Sequence, residues 1–455
     1  MSPKITLVSV NSCEFPTPPL GIASIATYLV RKGVVDKKTV QILDLNLEKK
    51  ILPKIKKFKP DIIGISSMTQ FYPRAIKLAK KIKAQYKKLP VVIGGVHIST
   101  APHSFSEAFD IGVIGEGEET FYELIRYFKK YGSFKNSKLR NIPGLVFKEE
   151  KNIIQASFRK LITPLDILPW PDWQLFSPYL SQYLKGRPLK KGEKPYKVGY
   201  IITSRGCPYR CAFCSTSVFW KKLRFHTPKY VVEQIEYLAK KFNIKRIVIQ
   251  DDIFNFSKKR LKEIIIELDK RNLLGKVSFG ASVRADYVDE EFCQIFKKMG
   301  GTSVFIGFES GSEKILKFLK NNTVAVSDNK KAALLLNKHQ LEIKGGIIFG
   351  SPGENLDDMK KSLQFMKWFS QLKYAARLSP YILTPFPGTK IWELALQKGL
   401  VSNDMENWGS LHLTPSEPFF LDKVDKASFR RIYKRAKDIS HEITLSRYVR
   451  LKTGS

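Results

Sequence analysis

Residues 204–216 read SRGCPYRCAFCST and hold three of the chain's five cysteines, Cys207, Cys211 and Cys214. Their spacing, C-x3-C-x2-C, is too compact for the ligands of a zinc knuckle. A [4Fe–4S] cluster is normally held by four cysteines, so three thiolates on one short loop would leave one iron open to a substrate or a cofactor. The alternative is that these side chains are small hydrophobes in a core or an ordinary metal knuckle.

The cysteine loop follows an apolar run over 198–202 that predicts a buried strand. The cysteine spacing, with Phe213 before the last cysteine, resembles the signature of the radical S-adenosylmethionine superfamily. The resemblance implies that the three cysteines hold a [4Fe–4S] cluster whose open iron chelates S-adenosylmethionine. In that superfamily reductive cleavage of this cofactor yields a 5′-deoxyadenosyl radical.

Six apolar runs alternate with helical segments from residue 198 onward. Six consecutive β/α units predict a partial (β/α)6 barrel of the TIM type, and the superfamily resemblance implies the same fold. In parallel barrels the functional groups lie at the carboxyl ends of the strands. The predicted strands are residues 198–203, 245–250, 277–283, 302–308, 342–349 and 377–383.

Polar and glycine residues follow these predicted strands. Arg284 offers a guanidinium fork suited to a carboxylate. The run from Gly346 to Glu354 resembles the superfamily's G-x-I-x-G-x-x-x-E, which packs against adenine. For Asp252 a helix N-cap is an equal alternative, and no catalytic acid or base is singled out. The predicted S-adenosylmethionine contacts are Phe213, Gln250, Asp251, Asp252, Ser282, Arg284, Glu309, Gly346, Ile348 and Gly350.

The first third of the chain also alternates short apolar runs with helical segments. This pattern predicts a doubly wound parallel sheet of the Rossmann-like type. Such sheets bind ligands beyond the carboxyl ends of their strands. No G-x-G-x-x-G follows the first run, which argues against a dinucleotide. The predicted strands are residues 4–10, 39–44, 61–66, 90–94 and 111–114.

The ordered turns that end these strands resemble the cobalamin-binding domain found ahead of many radical S-adenosylmethionine modules. Residues 44–49 lack the histidine of the D-x-H-x-x-G motif, so His97 is the candidate substitute as a cobalt ligand, although a structural role is favoured for it. A degenerate sheet without a ligand is the alternative. The predicted cobalamin contacts are Pro19, Leu20, Gly21, Ser66, Ser67, Gly94, Gly95, His97, Gly115, Glu116 and Gly117.

The chain of 455 residues carries 78 Lys and Arg against 42 Asp and Glu, a net charge of +36. The basic residues are spread along helices, so solvated helix faces explain most of them; attraction to a membrane surface, a nucleic acid or an acidic protein is the alternative. No specific nucleic-acid motif is present. The clustered cysteines favour a reducing cytosol over a disulfide framework, and we interpret Cys13 and Cys293 as packing residues.

No apolar run approaches the roughly 20 residues of a membrane span, so we expect a cytoplasmic protein, with peripheral membrane contact as an alternative. We divide the chain into a cobalamin-binding domain (1–132), a connector (133–197), a radical S-adenosylmethionine barrel (198–400) and a basic helical extension (401–455). The connector is predicted to hold a hairpin over 141–154, a proline-rich strap over 164–173 and a linker or lid over 185–197. The helix predicted over 423–451 would dock an apolar stripe on the barrel or contact a membrane.

Together these resemblances imply a cobalamin-dependent radical enzyme, most simply a C-methyltransferase that acts on an unactivated carbon and uses two molecules of S-adenosylmethionine per turnover. The alternatives are ring formation, ring contraction or carbon–carbon coupling on a lipid or tetrapyrrole, and a non-catalytic cobalamin or redox sensor. We expect an electron donor such as flavodoxin or ferredoxin, and a lipid, acidic protein or anionic metabolite as substrate. Methyl transfer needs both cofactors in one chamber, so the sheet's ligand-binding edge should face the cysteine loop.

Overall fold

The computed structural model describes residues 2–12, 16–134, 137–186, 196–220 and 222–453. Cys13 and most of the predicted linker or lid over 185–197 lie outside these ranges. The first part of the chain alternates strands and helices in the predicted order. Its elements are β1 (Ile5–Ser9), α1 (Leu20–Arg31), β2 (Val40–Asp44), α2 (Ile51–Phe58), β3 (Ile62–Ser66), α3 (Tyr72–Gln85), β4 (Val91–Gly94), α4 (Val96–Thr100), β5 (Ile111–Val113), α5 (Gly117–Tyr131), β6 (Leu145–Glu149), β7 (Asn152–Gln155) and α6 (Leu180–Leu184).

The second part contains the barrel and the C-terminal extension. Its six long strands fall within two residues of the predicted runs at each end. The elements are β8 (Lys197–Ile201), β9 (Ser204–Arg205), α7 (Thr216–Phe219), β10 (Arg224–Phe225), α8 (Pro228–Phe242), β11 (Ile244–Ile249), α9 (Lys258–Lys270), β12 (Ser278–Val283), α10 (Glu290–Met299), β13 (Gly301–Glu309), α11 (Glu313–Lys320), α12 (Val326–Lys338), β14 (Glu342–Phe349), α13 (Leu356–Ser370), β15 (Ala375–Ile382), α14 (Lys390–Gln397) and α15 (Lys426–Thr453).

The N-terminal sheet has the strand order β2-β1-β3-β4-β5-β6-β7. Strands β1 to β5 are parallel, which confirms the predicted doubly wound sheet. The strand order reverses between β1 and β3, and this reversal is the point where such sheets bind their ligand. The hairpin β6–β7 pairs antiparallel with β5. The hairpin therefore extends the sheet, whereas the sequence placed it in the connector.

The barrel sheet runs β8-β11-β12-β13-β14-β15 in chain order and is parallel throughout. In the described part of the chain β8 and β15 do not pair with each other, so the barrel is open, as predicted. A separate antiparallel pair, β9 and β10, lies at the carboxyl end of β8.

Amphipathic helices cover both faces of the parallel strands β1 to β5 and the outer face of the barrel sheet. All five residues of β1 are buried, and one apolar cluster runs from Ile5 in the first sheet through Trp173 in the connector to Phe279 in the barrel. Tyr183 of the connector donates a buried hydrogen bond of 2.6 Å to Asp44 at the end of β2. The two domains and the connector therefore share one core.

Helix α15 docks on the barrel, as predicted, and packs against β15 and α13. Phe429, Tyr433, Ile439 and Ile443 of its predicted stripe are buried, whereas Leu445 is 50% exposed. The Tyr433 hydroxyl donates to the Pro380 carbonyl at 3.2 Å. None of the helices in the described ranges combines the length and the apolarity needed to cross a lipid bilayer.

Candidate active site between the two domains

The cysteine loop emerges from the short ribbon formed by β9 and β10. Gly206, which precedes the first cysteine, has φ 94°, and a Cβ there would lie 2.2 Å from the Lys222 carbonyl oxygen. Any other residue would suffer both backbone strain and a clash with main chain. The turn thus requires the glycine that the motif supplies.

Asp251, two residues after the end of β11, holds the segment that leads into the cysteine loop. It accepts hydrogen bonds from the backbone and hydroxyl of Thr203 at 2.6 and 2.5 Å, and from those of Ser204 at 3.1 and 2.7 Å. Burial raises the pKa of this carboxyl, although the hydrogen bonds from Thr203 oppose the shift. Since a carboxylate has about four acceptor positions, the geometry does not favour the predicted contact of Asp251 with S-adenosylmethionine and gives it a positioning role.

The three loop cysteines carry free thiols and are half-buried. Burial raises the pKa of Cys207 to about 11, and the neighbouring Cys211 and Cys214 add to this shift. No three His, Cys, Asp or Glu side chains among the described residues form a group that could hold a single metal ion. Three cysteines on one short loop are the ligand set that leaves one iron of a [4Fe–4S] cluster without a cysteine.

Two cations lie beside the loop. The Arg284 guanidinium lies 3.5 Å from the centre of the Tyr209 ring, and its Nη1 is 3.9 Å from the Cys211 sulfur. Lys320 pairs with Glu309 at 2.8 Å, both of them buried, and its ammonium lies 5.8 Å from the Phe213 ring centre. Positive charge beside the loop would stabilise thiolates and an anionic cluster. Lys320 gave no signal in the sequence, because it sits in an ordinary helical pattern.

Glu309 was predicted from its place at the end of β13, and the structure gives it an unusual backbone. Its φ is 63°, which is rare for a residue with a side chain. The strand register also shifts between Gly307 and Glu309, and a Cβ at Gly307 would lie 2.1 Å from a Glu309 carboxylate oxygen. Such strain is often found at functional sites.

Some of the other predicted S-adenosylmethionine contacts lie at the barrel mouth, and others lie on the strands or in the apolar cluster behind the loop. Gln250 and Asp252 are exposed at the mouth, and Asp252 accepts hydrogen bonds from the Gly206 backbone at 3.2 Å and the Thr216 hydroxyl at 3.1 Å. Ser282 is half-buried on β12. Ile348 joins Phe213 in an apolar cluster behind the loop. These roles stay predictions.

The glycines of the predicted adenine motif have different neighbours. A Cβ at Gly346 would lie 3.0 Å from the Tyr381 ring, inside the barrel. A Cβ at Gly350 would lie 3.1 Å from Pro418 and 3.5 Å from Phe429. Gly350 therefore makes room for the C-terminal extension, and the structure does not favour direct contact between it and adenine.

The predicted cobalamin edge lies at the carboxyl ends of β3 and β4. Gly95 has φ 97°, and a Cβ there would lie 2.7 Å from the Ser67 carbonyl oxygen and 2.9 Å from the Ser66 hydroxyl. Ser67 donates its backbone N–H to the Gly94 carbonyl at 3.0 Å. The two serines and two glycines predicted as cobalamin contacts therefore form one tightly joined pair of turns.

We expect Gly95→Ala to destabilise this pair of turns by about 1–3 kcal/mol, because it adds both strain and a backbone clash. Cobalamin binding, followed by the absorbance of the bound cofactor, should weaken together with the melting temperature. Gly21→Ala is the matched control: no atom lies within 4 Å of a Cβ at this position in the first turn of α1, so its melting temperature should be unchanged or higher. Equal melting temperatures for Gly95→Ala and the unaltered protein would contradict the expectation.

His97 lies inside the first domain and is fully buried. Its ring lies against Tyr72 at a centroid distance of 3.9 Å with a tilt of 35°, and meets the edge of Trp408 at 4.8 Å. Its Nε2 is 2.9 Å from the Ser104 hydroxyl, and burial lowers its pKa to about 3. This geometry favours the structural role over cobalt ligation.

The remaining predicted cobalamin contacts surround the same edge. Pro19 and Leu20 begin α1, and Gly115 donates its backbone N–H to the Ser99 hydroxyl at 2.9 Å. Gly117 begins α5, where a Cβ would lie 2.7 Å from Ile25 of α1. The close approach of the two helices explains this glycine without a ligand.

A buried ion cluster joins this edge to the cysteine loop; we call it the interdomain ion cluster, and it consists of Glu116, Glu118, Arg205 and Arg224. Arg205 pairs with Glu116 at 2.8 Å and with Glu118 at 2.6 Å, and Arg224 pairs with Glu116 at 2.9 Å. Burial would raise the pKa of Glu118, but Arg205 outweighs burial and holds that pKa below its ordinary value.

Glu116 also accepts the Ile162 backbone N–H at 2.6 Å. Both of its oxygens are therefore occupied by protein donors, and the structure does not favour the predicted contact of Glu116 with cobalamin. The sequence missed Arg205 and Arg224 as partners. Arg205 stands two residues before Cys207, so the cluster fixes the cobalamin edge directly beside the cysteine loop.

A separate open groove of about 1100 Å³ lies at the opposite edge of the first sheet. Pro60, Asp61, Pro90 and Asp110 line it where strands β3, β4 and β5 begin. It is remote from the carboxyl ends of the strands and does not belong to this site.

Two family models match the chain: a B12 binding domain over residues 6–125 and the Radical SAM superfamily over residues 201–366. An uncharacterized methyltransferase of Pyrococcus horikoshii is 33% identical over 389 residues, which are 84% of this chain and 80% of the relative. An anaerobic magnesium-protoporphyrin IX monomethyl ester cyclase of Cereibacter sphaeroides is 26% identical over 379 residues, and the match spans 81% of this chain but only 59% of the cyclase.

Two solved structures share the fold. The radical S-adenosylmethionine methyltransferase TsrM from Kitasatospora setae, with cobalamin and a [4Fe–4S] cluster bound, has a TM-score of 0.70 at 21% identity, covering 88% of this chain and 76% of that one. The cobalamin-dependent S-adenosylmethionine radical enzyme OxsB, with aqua-cobalamin bound, has a TM-score of 0.74 at 21% identity, covering 95% and 66%.

Proposed function

Because the chain belongs to the cobalamin-binding branch of the radical S-adenosylmethionine superfamily, we propose that it transfers a methyl group to an unactivated carbon of its substrate. It is a cobalamin-dependent radical enzyme, and its cofactors are cobalamin, a [4Fe–4S] cluster and S-adenosylmethionine. The predicted family, fold class and cofactors are thereby confirmed. When bound, these cofactors supply a methyl group and a 5′-deoxyadenosyl radical.

The observation that carries the proposal is the interdomain ion cluster. It holds Gly115 and Gly117, at the cobalamin edge, next to Arg205, at the start of the cysteine loop. Helix α4, which follows β4, also contacts α7, which follows the last loop cysteine. A single chamber between the domains is the arrangement that direct methyl transfer to a substrate radical requires.

The chain's own residues hold and shield this chamber. Asp251 and Gly206 fix the cysteine loop, while Arg284 and Lys320 place positive charge beside the cluster ligands. The interdomain ion cluster is buried beside the loop, and we expect it to keep water from a reactive radical.

The test is an incubation with S-adenosylmethionine that carries a trideuterated methyl group, a reductant, cobalamin and small molecules extracted from a strain lacking the gene. We expect one product that gains a single labelled methyl group, with 5′-deoxyadenosine and S-adenosylhomocysteine formed in equal amounts. Protein with Cys214→Ala is the control and should give no labelled product and no 5′-deoxyadenosine. A product formed with 5′-deoxyadenosine but without label would contradict methyl transfer.

That unlabelled outcome would support the second candidate, radical ring formation without net methylation. Its support is the 26% identity with the cyclase over 81% of this chain.

We further propose a flavodoxin or ferredoxin as electron donor and an anionic surface as a docking partner, since the net charge of +36 favours acidic proteins and anionic membranes. The basic, exposed face of α15 supports a peripheral membrane contact.

A further inference from the structure

The interior of the barrel is open beside its middle strands. Phe305 is 40% exposed although it lies in the centre of β13, between two paired strands. A Cβ at Gly346 would lie 3.0 Å from the Tyr381 ring and 3.8 Å from the Phe305 ring. The rings of Phe305 and Tyr381 therefore approach Gly346 from the two neighbouring strands on the lumen face of the sheet, and the glycine leaves room for them.

Three cations lie on this lumen side; we call Arg246, Lys344 and Arg377 the lumen cations. Phe305 is the register partner of Lys344, and Lys344 is the partner of Arg377. The side chains of Phe305, Lys344 and Arg377 therefore leave the sheet on the same face. Arg246 reaches across from β11 and donates to the Ser303 hydroxyl at 2.7 Å. Gly280 permits this crossing, because a Cβ there would lie 3.3 Å from the Arg246 guanidinium.

The hydrogen-bond partners of the lumen cations are uncharged. Arg246 donates to the Thr302 and Ser303 hydroxyls and Arg377 to the Ser379 hydroxyl, all of them uncharged. None of the three has an ion-pair partner within the described ranges. The adjacent carboxylate, Glu342, is held by Arg447 at 2.6 and 2.9 Å.

The charges are also close enough to repel one another. Burial lowers the pKa of Lys344 below its ordinary value, and the guanidinium groups of Arg246 and Arg377 add to the shift. Glu342 opposes it, but the carboxylate is already shared with Arg447. Like charges gathered in a partly buried site destabilise the protein unless an anion joins them.

We propose that the lumen cations bind the anionic end of the substrate, a phosphate or carboxylate group. The proposal rests on the proposed function, because the substrate is taken to be the molecule that the radical attacks. Lys344 and Ile348 are four residue steps apart on β14, about 13 Å along a strand, and Ile348 packs behind the cysteine loop. The substrate is therefore an elongated anion whose body lies beside Phe305 and Tyr381 and whose other end reaches the barrel mouth.

The experiment measures the melting temperature of the holoprotein with inorganic phosphate or hexanoate added at constant ionic strength, with chloride as the reference anion. Lys344→Gln is compared with the unaltered protein and with Lys331→Gln, a matched loss of one exposed lysine on the outer helix α12. We expect a saturable rise for the unaltered protein and Lys331→Gln, and a midpoint anion concentration higher on the order of tenfold for Lys344→Gln. The anion that raises the melting temperature more, phosphate or hexanoate, shows whether the anionic end of the substrate is a phosphate or a carboxylate.

A purely structural lysine would behave differently. Without added anion Lys344→Gln should melt at or above the temperature of the unaltered protein, because it relieves repulsion, and Arg377→Gln should show the same two effects. Equal responses of Lys344→Gln and the unaltered protein, or no rise beyond chloride with either anion, would overturn the proposal. Label transfer from S-adenosylmethionine can still succeed in that case, so failure here is separate from failure of the proposed methyl transfer.

Discussion

Cys211→Ala is expected to remove the brown colour of the iron–sulfur cluster and to reduce the formation of 5′-deoxyadenosine to background. Cys211 is the middle cysteine of the loop, and the Arg284 guanidinium is 3.9 Å from its sulfur. Only two thiols would remain to hold a cluster that already lacks a fourth cysteine. Iron and sulfide content, visible absorbance and chromatographic detection of 5′-deoxyadenosine after reduction provide the measurement.

The matched control is Cys293→Ala. Cys293 is fully buried in α10 and belongs to the main apolar core, so its replacement should cost stability, on the order of 1 kcal/mol, without changing iron content. Both variants should still melt cooperatively. A Cys211→Ala protein that keeps its iron and still cleaves S-adenosylmethionine would refute the assignment of the loop.

Arg205→Ala should destabilise the protein by about 3–5 kcal/mol, the usual cost of leaving a buried charge without its partner. Glu118 would lose its guanidinium and keep only the Ser24 hydroxyl, at 2.7 Å, whereas Glu116 would keep Arg224. The shift of the urea unfolding midpoint, measured with cofactor content held constant, reports the loss. Arg205→Met combined with Glu118→Gln should recover most of it, because no unpaired charge is then buried.

Arg435→Ala is the control for charge removal as such. Its pair with Glu442, at 3.0 Å, is exposed, and exposed pairs contribute roughly 0–1 kcal/mol. The Arg205→Ala loss should also shrink in acid: the lowered pKa of Glu118 contributes stability above the unfolded value of about 4.3, and this contribution disappears as pH falls through the folded pKa. An Arg205→Ala loss no larger than that of Arg435→Ala would show that the interdomain ion cluster does not hold the domains.

The sequence predicted the strands well because each is a short, mainly apolar run between helical segments, and this signal is local. It predicted the cysteine loop for the same reason, since the three cysteines lie within eight residues of one another. It could not predict the interdomain ion cluster, because Arg205 and Glu118 are far apart in the chain and each resembles a surface charge. A signal was present only in the position of Arg205, directly before Gly206 of the cysteine motif.

The lumen cations were missed for a different reason. Whether Lys344 points into the barrel or out of it depends on strand register, and register depends on the neighbouring strands. The predicted contacts of Asp251, Glu116 and Gly350 share a related difficulty: their position at strand ends was predicted, but neighbouring protein groups occupy their bonding capacity or their space. Sequence located the site, and only the packing distinguished its supports from its candidate ligand contacts.

The docking of α15 also protects the protein from self-association. An open barrel ends in an edge strand, β15, whose unpaired carbonyl and amide groups could pair with a strand of another molecule. Tyr433 and Arg450 of α15 donate to the Pro380 and Ala375 carbonyls, and the Ile382 N–H is bound by the Leu413 carbonyl. Removing the C-terminal helix would therefore uncover a template for strand addition, and aggregation would follow.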